Sequence, residues 1–68
     1  MFIIFVGQCP QSRIDHGTVI VLNGYSVGST IEYLCDRNYE LIGNNTRNCQ
    51  EDGTWSGRTP ICKRTVFI

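Results

Sequence analysis

Most patterns that carry chemistry are missing from this chain of 68 residues. It has no Cys-x-x-Cys, so a zinc knuckle and a thioredoxin-type dithiol both lack their ligand spacing. Histidine occurs once, as His16 beside Asp15. A hydrolytic triad needs a base oriented by a carboxylate against a nucleophile, and adjacency in sequence does not supply that. Ser12, Ser26, Ser29 and Ser56 therefore have no partner set, and His16 reads as a surface residue in a loop. Glu51-Asp52 is the only adjacent carboxylate pair, and the Asp52-Gly53 turn signal accounts for it. Phosphate loops and metal motifs are absent. The sequence thus offers no catalytic, cofactor-binding or metal-binding residue. Charge is balanced, with six basic and six acidic residues spread along the chain, which excludes the concentrated basic face of a nucleic-acid binder. No apolar run is long enough to span a membrane. No stretch repeats apolar positions every three or four residues, so helices are not the framework.

What is present is a set of four cysteines, Cys9, Cys35, Cys49 and Cys62, in under 100 residues. That count suggests a disulfide framework, with three pairings open from sequence alone. Short strand-like runs alternate with turn residues. Residues 18–22 are rich in β-branched side chains and end at Asn23-Gly24, a tight-turn signal. Residues 30–35 alternate, with Ile31, Tyr33 and Cys35 on one side and Thr30, Glu32 and Leu34 on the other. Residues 39–42 place Tyr39 and Leu41 on one face, and residues 46–50 lead through Cys49. Ile61 and Cys62 close a last strand. Turns every eight to twelve residues indicate a small all-β unit. Alternation puts Arg47 on the side of Cys49, where its stem would pack while the guanidinium reaches water.

The cysteines stand in a recognisable frame: Cys9-Pro10, Gly17, Tyr33-x-Cys35, Tyr39-x-Leu41-x-Gly43, Cys49, Gly53-x-Trp55 and Pro60-x-Cys62. This arrangement closely resembles the sushi domain, also called the complement control protein module or short consensus repeat. The resemblance runs from Cys9 to Cys62, with residues 1–8 and 63–68 as flanks. One position departs from it. The family usually has glycine before the tyrosine that follows the second cysteine, and this chain has Asn38, the next most tolerant residue for positive φ.

The resemblance implies a small, elongated, disulfide-stapled β-sandwich of short antiparallel strands. It implies the pairing Cys9–Cys49 and Cys35–Cys62, each bridge worth roughly 3–4 kcal/mol in the chain-entropy model. It places Trp55 in the core between the bridges, with Tyr33, Tyr39, Leu41 and Ile31 around it. It further implies no enzymatic activity and no cofactor. The expected role is protein–protein interaction in a larger complement-related or adhesion protein, with a passive spacer as the alternative. Bridges imply an oxidising compartment, hence secretion or a cell-surface ectodomain. The family's most variable segment maps to residues 20–25, where Val21, Leu22, Asn23 and Tyr25 are the candidate partner-binding residues if exposed, the alternative being that some of them pack inward as strand residues. Asn44-Asn45-Thr46 is an N-glycosylation sequon in a turn. Arg58, Lys63 and Arg64 would gather near one end, the place for a weak glycosaminoglycan contact. Residues 1–6 and 66–68 form apolar stubs outside the cysteine frame, expected as boundary residues of a fragment of a longer protein.

Overall fold

A computed structural model of the chain describes residues 7–66. The apolar stubs therefore lie outside the described residues, except Val66, which is exposed.

Five strands follow in order: β1 Gly17–Val21, β2 Thr30–Cys35, β3 Tyr39–Ile42, β4 Thr46–Asn48 and β5 Ile61–Arg64. All pairings are antiparallel, and only β1 and β2 are joined directly in sequence, while β2–β4 and β3–β5 each skip a strand. One sheet has the order β1-β2-β4, and a two-stranded sheet joins β3 to β5. The molecule measures 57 × 22 × 16 Å, an elongated body. The all-β sandwich expected from the sequence is the fold observed.

Alternation decides which side chains enter the core. In β2, Ile31 and Tyr33 are fully buried while Leu34 points out at 51 % exposure. They join Cys9, Cys49 and Trp55 in one cluster, against which Ile14, Val19, Tyr25 and Leu41 pack. The bridge Cys9–Cys49 runs through that cluster (Cα–Cα 5.8 Å), and Cys35–Cys62 ties β2 to β5 (Cα–Cα 5.5 Å). Gly17 is required by the close approach of β2 beside the second bridge. A Cβ there would collide with the Leu34 carbonyl and stand 3.0 Å from the Cys62 sulfur.

Some local expectations are corrected. Asn23-Gly24 does not close a two-residue hairpin, because residues 22–29 bulge outward between β1 and β2. The bulge brings Tyr25 back to the core, where the Cys9 amide donates to its carbonyl at 2.8 Å. The fourth strand ends at Asn48, and Cys49 pairs with Trp55 in an isolated bridge instead. Tyr39 lies outside the central cluster. It is half-buried and stacks on His16, with ring centroids 4.5 Å apart and planes 11° from parallel. Asn38 takes φ 71°, so the turn survives without glycine, and His16 takes φ 59°.

Candidate functional site

Four regions hold the residues singled out in the sequence: the loop between β1 and β2, the pocket around Trp55, the β3–β4 turn and the outer face of β5.

The loop of residues 22–29 is held rigid from within. Asn23 Oδ1 accepts the Thr30 amide at 2.9 Å, and the Asn23 carbonyl accepts the hydroxyl of the buried Ser29 at 3.1 Å. The side chain of Asn23 is therefore engaged in holding the turn. Tyr25 is half-buried, packs against the core and meets Trp55 edge-on, with ring centroids 6.4 Å apart. Of the two alternatives, the inward one holds for Tyr25, whose ring packs on the core. Val21 and Leu22 are the pair left to solvent, at 38 % and 57 % exposure. The four candidates thus divide into two outward apolar groups and two that shape the loop beneath them.

Trp55 is buried at 7 % exposure, and its indole N–H donates to the Pro10 carbonyl at 2.7 Å. That bond satisfies the polar edge that makes a tryptophan expensive to bury. Around it lies a contact that alternation did not anticipate. The Arg47 guanidinium does not reach water as its main partner. Its Nε donates to the Ser56 carbonyl at 2.8 Å, and its Nη2 to the carbonyls of Trp55 and Gly57. Its Nη1 donates to Thr59 Oγ1 at 2.9 Å and to the Tyr33 hydroxyl at 3.4 Å. The planar fork of arginine suits several acceptors at once, and residues 55–57 present a row of carbonyls without strand partners. Arg47 thus clamps the segment that carries Trp55. The signal available in sequence was its place beside Cys49, which reads as a charge on an inward face.

Asn44 is exposed in the turn between β3 and β4, directly after Gly43 at φ 114°. The basic residues do not form one face. Lys63 and Arg64 are successive residues of β5, so they point to opposite sides, and Lys63 pairs across the sheet with Glu40. Among the described residues no group of three metal-ligating side chains comes together. No helix of the described residues is long and apolar enough to cross a membrane. Among the described residues, the one clear titration effect lies in the turn before Trp55. The Thr54 hydroxyl donates to Asp52 Oδ1 at 2.6 Å and the Thr54 amide at 3.1 Å, and these bonds hold the Asp52 carboxyl below the usual carboxylate range.

The family model for the sushi repeat (SCR repeat) matches residues 9–62. Over 62 residues the chain is 49 % identical to rat sushi, von Willebrand factor type A, EGF and pentraxin domain-containing protein 1, covering 91 % of this chain and 2 % of that protein. It is 44 % identical to clotting factor C of Tachypleus tridentatus, over 91 % of this chain and 6 % of the relative. Bovine complement C2 is 38 % identical over 84 % of this chain and 8 % of its own length. The chain thus spans a small fraction of each of these relatives. With its fold, its bridges and this match in agreement, the chain belongs to the sushi family.

Proposed function

We propose that this module binds another extracellular protein, as one repeat of a larger complement-related or adhesion protein, and that Val21 and Leu22 anchor the contact. One observation carries the reading: Val21, at the end of β1, and Leu22, at the start of the following loop, stand outward where the backbone is fixed by Asn23 and Ser29. A preformed loop loses little conformational freedom on binding, so exposed apolar groups on it convert efficiently into affinity. The absence of chemistry in the sequence leaves recognition as the use of such a surface. Relatives named for clotting and complement support the protein class, and two disulfides support an oxidising, extracellular location.

The elongated shape supports a second reading, a spacer that only sets the distance between neighbours. The two are separated by changing the surface without changing the length. Val21→Ser combined with Leu22→Asp, placed in the full-length protein, leaves the buried side of the loop intact. A binding module loses about tenfold or more in affinity for the protein's extracellular ligand, as expected for anchor residues. A spacer keeps its affinity in that variant and loses it when the module is deleted.

A further inference from the structure

We infer that Asn44 carries an N-linked glycan whose first sugar packs on the apolar groove beside it. The sequon Asn44-Asn45-Thr46 sits where β3 turns into β4, and the groove touching Asn44 is lined by Ile42, Gly57, Arg58, Pro60 and Ile61. Its volume is about 460 Å³, within the range that holds small ligands. Two features make the groove and the acceptor one site. Gly43 brings the turn against Pro60, where a Cβ would stand 3.4 Å from the proline ring and its Cα. Ile42 and Ile61 face each other across β3 and β5 and are left 46 % and 63 % exposed. An N-acetylglucosamine ring has one face of C–H groups and an N-acetyl methyl, which suit such a pair. Its hydroxyls face water, and Arg58 and the backbone at Gly57 offer polar contacts at the rim.

The modification forms a bond from Asn44 Nδ2 to the anomeric carbon of a lipid-pyrophosphate-linked oligosaccharide. The anomeric carbon–phosphate oxygen bond breaks, one amide proton is released and the lipid pyrophosphate leaves. No oxidation or reduction occurs. The inference rests on the extracellular reading, since the donor is met only on the secretory route.

The chain is secreted from eukaryotic cells behind an added leader, so an empty Asn44 speaks against the site and not against the location of the parent protein. Peptide mass spectrometry before and after an N-glycan amidase should find Asn44 occupied and then converted to aspartate, and Thr46→Ala should abolish both signals. Trimmed to the first sugar, the glycoprotein should melt roughly 3 °C above the deglycosylated chain, a shift readable in a domain this small. Nuclear Overhauser contacts should link the N-acetyl methyl to Ile42 and Ile61. Ile61→Ser should keep occupancy and lose both the contacts and the melting shift. A secreted, folded chain with unmodified Asn44 overturns the proposal. So does an occupied Asn44 whose sugar makes no contact with Ile42 or Ile61 and leaves the melting temperature unchanged.

Discussion

Around Cys9–Cys49 the chain gathers Ile31, Tyr33 and Trp55 into a dry cluster, with Tyr25 and Val19 closing its sides. Around Cys35–Cys62 it builds a two-stranded ribbon whose outer apolar pair, Ile42 and Ile61, faces solvent. The covalent element is the same in both places, and the setting is not. An isolated two-stranded sheet is marginal in water. At the β3–β5 end the bridge and the backbone ladder hold the structure, aided by Leu41 packed inward and by the stack of Tyr39 on His16. At the other end the bridge adds to a core that already buries its largest side chains. Each end of this small body thus carries one cross-link, and the dense packing is concentrated at only one of them.

The largest effect should come from removing the bridges singly. Loop closure alone makes them nearly equal, since sequence separations of 40 and 27 differ by roughly 0.3 kcal/mol in that model. Packing makes them unequal. Replacing Cys9 and Cys49 by alanine removes buried sulfur from the cluster as well as the cross-link, at a cost of roughly 4–6 kcal/mol, enough to unfold a domain of this size. Replacing Cys35 and Cys62 should cost roughly 3–4 kcal/mol and loosen the ribbon first. Trp55 fluorescence reports the difference. It should be red-shifted in the first variant and should stay blue-shifted in the second at low denaturant. Equal loss of Trp55 burial in both variants would show that the two ends fold as one cooperative unit.

Arg47 tests the comparison from inside the packed end. Its five donor contacts converge on residues 55–59 and Tyr33, so Arg47→Met should leave partly buried carbonyls without donors at a cost of about 2–3 kcal/mol. Arg47→Lys should recover only a small part, because a point charge cannot serve several acceptors in a plane. Urea midpoints at constant slope would measure both. Full rescue by lysine would mean that charge, and not the planar fork, holds the Trp55 segment.

How much of this could be read in the sequence follows the same division. The strand in residues 30–35 was legible because alternation is strict there; of its inward residues, Ile31 and Tyr33 are the most buried among the described residues, while Cys35 is half-buried. The turn at Asn38 was legible because few residues accept positive φ. The loop after β1 was not, because Asn-Gly is a local signal and the pull of Tyr25 onto Trp55 is a long-range contact. Arg47 escaped for a related reason. Four of its five acceptors lie eight to twelve positions further along, in a segment with no periodicity to mark its carbonyls as unpaired. Tyr39 was assigned to the core from its place in the motif, whereas His16, at φ 59°, offers it a stacking partner at the edge.

The smallest effect belongs to the turn that precedes Trp55. Asp52 is fully exposed, and the hydroxyl of Thr54 is the first cause of its lowered pKa, followed by the Thr54 amide. A carboxyl lowered by folding stabilises the fold above its unfolded pKa, and that contribution is lost as pH falls through the folded value. The stabilisation is therefore present at neutral pH and fades only in acid. A carbon-detected titration should place the Asp52 midpoint below that of an ordinary aspartate. Thr54→Val removes the hydroxyl and keeps the amide, so the midpoint should rise while staying below the unperturbed position. Trp55 fluorescence at neutral pH should hardly change, since the cluster beneath the turn is held by Pro10, Tyr25 and Arg47. A midpoint that does not move in Thr54→Val would assign the shift to the backbone amide alone. A Trp55 signal that moves with it would show that this turn, and not only the buried cluster, sets the order of the packed end.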